Sequence, residues 1–268
     1  LDTATTLMNL AQTPRVAIIG AGLTGLSIAR RFVEAGIEPQ LFDKRRGVSG
    51  RMATRRLKIN GLDLRFDHGN PFLTSPQMQA IGELMNSPAD PVPPDVAAHR
   101  ELGDESLICI ADGMNQVGKW LAGGLEIHLN RPITAIAPSD SARQWQIVTG
   151  NHVVPDDFEL VITTTPPRQA AEILRGSDSA VVAALNAIEP QGCWSLMLVT
   201  EPPLPMGLVC HHKGEIIERV INENAKGRSS EHLGLYTVHA KRPWSQRHME
   251  SPKVDVQAAM IEALQSFG

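Results

Sequence analysis

Apolar residues along this chain fall into two rhythms. Val16–Ile19 is a short run without a polar residue, the pattern of a strand buried on both faces. Leu26, Ala29, Phe32 and Val33 then recur at helical spacing, Gly36 suits the position just after a helix, and residues 39–42 read as a second strand. Further on, Val117, Trp120 and Leu121 share a helical face within 113–122, Gly123-Gly124 turns the chain, and Leu125, Ile127 and Leu129 alternate as a strand. Residues 145–148 and 158–162 read as strands, with a turn at Thr149-Gly150-Asn151. Pro166-Pro167 precedes a helix bearing Ala170, Ile173 and Leu174. From 190 onward the pattern is strand-rich (194–199, 207–211, 215–222, 233–239), which predicts an antiparallel sheet in a second domain. Ser251-Pro252 is a helix start, with Ser as N-cap and Pro in the first turn. The stripe Val256, Ala259, Met260, Leu264 that follows runs out at Gly268 with little downstream partner. No internal repeat is visible, and 87–94 reads as a Pro-rich loop within an insertion.

Composition narrows the class. The 268 residues suffice for one large or two modest domains. A net charge of −4 argues against a general nucleic-acid binder, and no apolar run is long enough to span a bilayer. Residues 1–13 lack a basic start and a continuous apolar stretch, so no signal peptide is expected; Met8 is a candidate natural start. Cys109, Cys193 and Cys210 are scattered and odd in number, which suits a reducing cytoplasm and a role as small buried hydrophobes. His211-His212 are adjacent and would point to opposite strand faces, so a surface loop pair is expected rather than a metal site.

The chemistry concentrates directly after the first strand. Gly20, Gly22 and Gly25 have the G-x-G-x-x-G spacing. The first permits the strand-to-helix turn, the second lets backbone approach a pyrophosphate, and the third lets helix and strand pack closely. The helix N-terminus then favours an anion. Asp43 ends the second strand, where a carboxylate can accept ribose hydroxyl protons. The turn Arg46-Gly47-Val48-Ser49-Gly50-Arg51 follows, and an arginine there can add a second clamp through paired bonds to phosphate. Arg45 reads as solvated. A rival reading makes these cations a 2′-phosphate site for NADP, but Asp43 would then face like charge. A plain structural βα turn is the bland alternative.

The stretches LFDKRRGVSGRMATRR and FDHGNPFLT resemble the renalase-like branch of the flavin amine oxidase superfamily. The resemblance continues through ADGMNQVGKWLAGGLEIHLNRPITAI, ELVITTTPPRQAAEIL, CWSLMLV and TVHAKRPWSQRH, covering nearly all of 15–268. It implies an α/β fold with an FAD-binding Rossmann-type domain (14–74 and 112–168), interleaved with an α+β substrate domain on an antiparallel sheet (75–111 and 169–268). It also implies that Leu23, Thr24, Gly50, Arg51 and Met52 join the three glycines around the FAD phosphates and ribityl chain. Asp43 and Lys44 would hold the adenosine end, with Ile133 meeting the adenine side through its backbone. Gly69 and Asn70 would lie against the isoalloxazine.

Three departures stand out. Ser49 replaces a glycine before the clamp arginine, and so requires a permitted φ there. Pro71 removes a backbone donor near the expected flavin face. The C-terminal Gly-Asp segment usual in the family is not present before Gly268, so a fragment or a version without that cofactor lid is expected. The expected activity is an oxidase taking a hydride from a dihydronicotinamide-type substrate and passing electrons to oxygen, in the cytoplasm, with no nucleic acid or membrane partner. A flavin amine oxidase or other dehydrogenase is the alternative, and a non-catalytic nucleotide-binding scaffold is the alternative of a different class. No catalytic side chain is identified. His68 is an acid–base candidate or a carbonyl partner, Trp194 a core residue, and Trp244 a candidate pocket wall.

Overall fold

The computed structural model describes residues 13–59, 61–85, 90–102, 105–141, 144–150, 152–176, 179–228 and 232–265. The candidate start Met8, part of the 87–94 loop, Asn151 and the end at Gly268 lie outside these residues. The chain forms two compact units: one from residues up to Gly50 with 81–92 and 118–190, the other from 51–80, 93–117 and 191 onward.

The first unit is built on a parallel sheet ordered Leu160–Thr163, Val16–Ile19, Gln40–Phe42, Glu126–His128. Val16–Ile19 is central and wholly buried, as its unbroken apolar run predicts. Alternate residues serve opposite faces. Ala17, Ile19 and Phe42 pack with Ile133, Ile136, Ile147 and Phe158 of an antiparallel meander, Ile133–Pro138, Trp145–Thr149 and His152–Phe158. Phe42 meets Phe158 edge-on at 6.2 Å and stacks on His128 at 4.8 Å. The expected strand 158–162 is in fact split, because Phe158 ends the meander and Leu160 starts the parallel strand.

Helix Leu23–Glu34 ends as expected, with Gly36 at φ 76. Its buried stripe is Leu26, Ala29 and Arg30, whereas Val33 is exposed. Arg30 is held by the carbonyls of Leu121 (2.8 Å) and Gly123 and by Asp90 (3.0 Å). Helical spacing alone did not reveal this, because the partners lie about 60 to 90 residues away in sequence.

The second unit carries the expected antiparallel sheet, ordered Ser195–Thr200, Gly234–Ala240, Ile217–Asn222, Val209–His211. On one face, Val220, Tyr236 and Val238 pack with Trp244, Val256 and Met260. The stripe of helix Lys253–Gln265 packs on this sheet, so its partner lies upstream in the chain. Trp244 is core rather than pocket wall: it is buried there and stacks on His248 at 4.2 Å. The opposite face receives Leu64 and Phe66 of the hairpin Arg55–Ile59/Leu62–Phe66, against Leu235 and Met197. That packing assigns 51–74 to the second unit, where the sequence grouped it with 14–50. Conversely, Ile173 joins the first unit's core, and 169–190 falls in that unit, where the sequence reading grouped it with 191–268.

Of the cysteines only Cys109 is buried, and burial pushes its thiol up to about 11; Cys193 is exposed and Cys210 intermediate. Among the described residues no helix is long and apolar enough to cross a membrane, and no cluster of His, Cys, Asp and Glu is arranged to hold a metal ion.

Candidate functional site

In the first unit two glycine loops close on each other. Ser49 N donates to Ala21 O at 2.9 Å, and Gly22 and Ser49 form an isolated parallel bridge. Gly22 and Gly50 are consequently in contact through their backbones, so a Cβ on Gly50 would lie 3.0 Å from Gly22 Cα. Gly50 takes φ 54 and Ser49 φ 88. The serine thus adopts the left-handed conformation that a glycine takes without strain.

A Cβ on Gly22, by contrast, would meet nothing nearer than Gly50 Cα at 3.8 Å. The space over Gly22 is therefore open. Helix Leu23–Glu34 starts there with no capping side chain and no acidic residue in its first turn. Leu23, Thr24 and Gly25 begin that helix, so its positive end is left for an outside anion.

Asp43 has a structural task that its sequence position did not disclose. Its two carboxylate oxygens accept the backbone N–H groups of Ala21 and Arg45, each at 2.8 Å, which ties the second strand to the first glycine loop. Each oxygen retains a lone pair for a ribose hydroxyl. Thr164, also missed, closes the turn from the other side: its hydroxyl lies 3.1 Å from Ile19 O and 3.2 Å from Gly20 O.

Lys44 donates to Gln169 at 3.0 Å. The two line a shallow cavity of about 470 Å³ with Ile133, Thr134 and Arg175. Ile133 begins a strand at the edge of the meander, the position where backbone groups can meet a ligand. Arg45 is exposed, with one long contact to Gly50 O at 3.4 Å. These features fit FAD: a Cβ-free cradle and an uncapped helix for the pyrophosphate, a carboxylate for ribose, and a polar-rimmed cavity with an available backbone edge.

Arg51, Met52, Gly69 and Asn70 fall in the second unit, which begins at Arg51, the residue bonded to Gly50. Arg51 exposes its side chain, and its carbonyl accepts Asn70 N at 2.9 Å. A Cβ on Gly69 would lie 1.9 Å from that carbonyl, so only glycine permits this approach. Met52 is buried.

The sequence reading passed over the most heavily charged feature of this unit. Asp67, just before His68, belongs to a sealed set with Glu223, Lys226 and Arg228. Asp67 accepts from Thr54 Oγ1 (2.6 Å), Met114 N (3.0 Å), Lys226 Nζ (3.0 Å) and Arg228 Nη2 (2.5 Å). Glu223 accepts from Asp67 N (3.1 Å), Thr237 Oγ1 (2.6 Å), Lys226 Nζ (3.0 Å) and Arg228 Nη1. Burial alone would raise the Asp67 carboxyl; Lys226, Arg228 and the Thr54 hydroxyl outweigh it and hold it below its usual range. Two acids balance two bases, which is how four buried charges are tolerated. The signal was present as FDHG and NENAKGR, but no local spacing couples segments 159 residues apart.

Residues 18–87 match the model of an NAD(P)-binding Rossmann-like domain, and 95–196 match that of flavin containing amine oxidoreductase. Among solved structures, wild-type putrescine oxidase bound to putrescine is 13% identical with a TM-score of 0.69, covering 94% of this chain and 80% of that one. A fatty acid isomerase from P. acnes that produces CLA is 13% identical with a TM-score of 0.70, over 97% and 84%. An oxidoreductase from Methanosarcina mazei is 14% identical with a TM-score of 0.68, over 94% and 84%. At such identities the likeness is one of fold.

Proposed function

We propose that this chain belongs to the flavin amine oxidase superfamily, takes FAD as its cofactor, and is a cytoplasmic oxidase of a dihydronicotinamide-type small molecule; the matches over 18–87 and 95–196 support the family. The observation that carries the reading is the glycine cradle, with Gly22 open over an uncapped helix and braced by Gly50 of the second loop. FAD, when bound, supplies the hydride-accepting ring and returns the electrons to oxygen.

The chain's own residues then bind and orient. Gly20, Gly22, Leu23, Thr24 and Gly25 receive the pyrophosphate, and Asp43 turns its spare lone pairs to the ribose. Lys44 and the Ile133 backbone border the adenosine end. Gly50, Arg51 and Met52 serve the second clamp, with Gly69 and Asn70 for the isoalloxazine. A dihydropyridine that gives up hydride becomes an aromatic pyridinium, so it needs no side-chain base; oxygen with two electrons and two protons leaves as hydrogen peroxide.

The test is direct. Purified protein is expected to be yellow, to release flavin on denaturation, and to consume oxygen with dihydronicotinamide isomers faster than with primary amines. A colourless protein that takes up no added FAD would sink the cofactor reading. A yellow protein active on amines alone would sink the substrate.

A further inference from the structure

The four-stranded sheet of the second unit carries a polar row on the face away from helix Lys253–Gln265. Ser195, His239, Arg219 and His211 stand in register on successive strands, Ser195 opposite His239, His239 opposite Arg219, and Arg219 opposite His211. Residues paired in this way project to the same side. The neighbouring positions Val220 and Val238 turn the other way, into the helix-covered core.

Arg219 is half-buried and held in an unusual manner. Its Nε donates to Nδ1 of His239 at 3.3 Å, and its guanidinium lies over the Phe72 ring, 5.5 Å from the centroid. His239 is 5% exposed. Burial and then the Arg219 charge push the imidazole down to about 4, so it is a neutral acceptor, while its bond to the His68 backbone acts the opposite way. Arg219 thus leans on a neutral ring and an aromatic face. Among the described residues neither of its terminal amines meets a carboxylate or any other acceptor. In the same row the Ser195 hydroxyl is buried and without a hydrogen-bond partner.

A half-buried guanidinium is ordinarily neutralised. One whose Nε is bonded, whose guanidinium lies over an aromatic ring, and whose terminal amines are unspent among the described residues is suited to a two-pronged oxyanion contact. We propose that Arg219, oriented by His239 and Phe72, binds an oxyanionic group of the substrate, a carboxylate or a phosphate. This rests on the reading of the chain as an oxidoreductase of a small molecule. Arg219 would be a specificity-determining residue, and His239 a positioning residue that acts through it.

The experiment uses the flavin-loaded protein with three aromatic probes: benzoate, phenylphosphonate and the neutral benzamide. Calorimetric titration is expected to show at least one of the two anions binding the wild type well ahead of benzamide, and the stronger one identifies the preferred group. Arg219→Met should weaken that anion by ten- to a hundredfold, the loss of one or two charge-assisted bonds, while benzamide binding and flavin content stay as they were. Arg219→Lys keeps the charge without the fork and should be about tenfold weaker than wild type. It also serves if the methionine variant fails to fold. His239→Phe should lower the ratio of anion to benzamide affinity, a ratio that a general loss of stability would not move.

Equal anion binding by wild type and both Arg219 variants would overturn the proposal, as would benzamide binding as tightly as the anions. Flavin content is measured on the same samples. A yellow protein without Arg219-dependent anion binding defeats this inference alone. A protein that takes up no flavin but binds the anions through Arg219 defeats the oxidase reading and leaves the oxyanion site standing.

Discussion

Lys226 Nζ sits 3.0 Å from Asp67 Oδ2 with both side chains fully shielded from water, joining the end of strand Leu62–Phe66 to a 3-10 turn at Asn224–Lys226. The pair secures the segment that leads into His68, Gly69 and Asn70. A single substitution here leaves a buried charge uncompensated. Lys226→Met should therefore destabilise by about 3–5 kcal/mol, read from urea denaturation. Lys226→Met combined with Asp67→Asn should recover part of that loss, because it removes opposite charges together. If the single variant unfolds at the wild-type midpoint, the network contributes no stability.

Gly22→Val is the sharpest test of the cofactor cradle. The bare protein has room for the first carbon of the side chain, whose nearest neighbour would be Gly50 Cα at 3.8 Å. The variant should fold with a near-normal melting temperature yet purify without flavin, as shown by absorbance of the released cofactor. Full flavin content would show that residues 20–25 do not hold the pyrophosphate.

Arg51 and Arg45 make a matched pair. Both are exposed, but only Arg51 is expected on the dinucleotide. Arg51→Met should weaken FAD by about ten- to a hundredfold, since charge-assisted bonds are worth about 1.5–3 kcal/mol each. Arg45→Met should change it little. Fluorescence titration of both apoproteins with FAD decides the matter, and equal affinities would remove the second clamp.

Acid should act in two separate windows. His239 titrates near 4 in the folded protein against an ordinary 6.5. The unfolded chain therefore takes up a proton that the folded one refuses as pH falls through this interval. Its contribution is complete above pH 6.5 and declines toward pH 4, by about 3 kcal/mol in full. Asp67 is depressed below its usual range, so its share persists through that window and is lost only at lower pH. Urea midpoints between pH 7.5 and 4.5 should fall in the wild type and fall less in His239→Gln. Parallel slopes would assign the acid sensitivity to other groups.

The strand, glycine loop, helix and second strand of residues 16–43 were legible in the sequence because each is specified locally. A four-residue apolar run can only be buried, and closely spaced glycines mark a turn that side chains would block. The antiparallel sheet after 190 was legible for the same reason. The second glycine turn was legible as a possible clamp, but the Gly22–Gly50 contact and the left-handed Ser49 depend on how two loops dock.

Other features had no local signature. Arg30 lies on an apolar helix face, and nothing near it announces the carbonyls of Leu121 and Gly123. The stripe of the last helix was legible, but not what it packs on, because that partner is a sheet assembled from strands up to about 60 residues earlier. The charges of Asp67, Glu223, Lys226 and Arg228 lie in separate segments with no pattern that joins them; only folding places them within hydrogen-bond reach and makes them a buried network. Arg219 and His239 meet through strand register, which is set by the pairing of whole strands. Sequence periodicity thus determined the elements and the dinucleotide loop, since both follow from short-range sterics and solvation. Tertiary structure decided which polar groups are buried together, because desolvation and charge pairing act between residues that the chain alone keeps far apart.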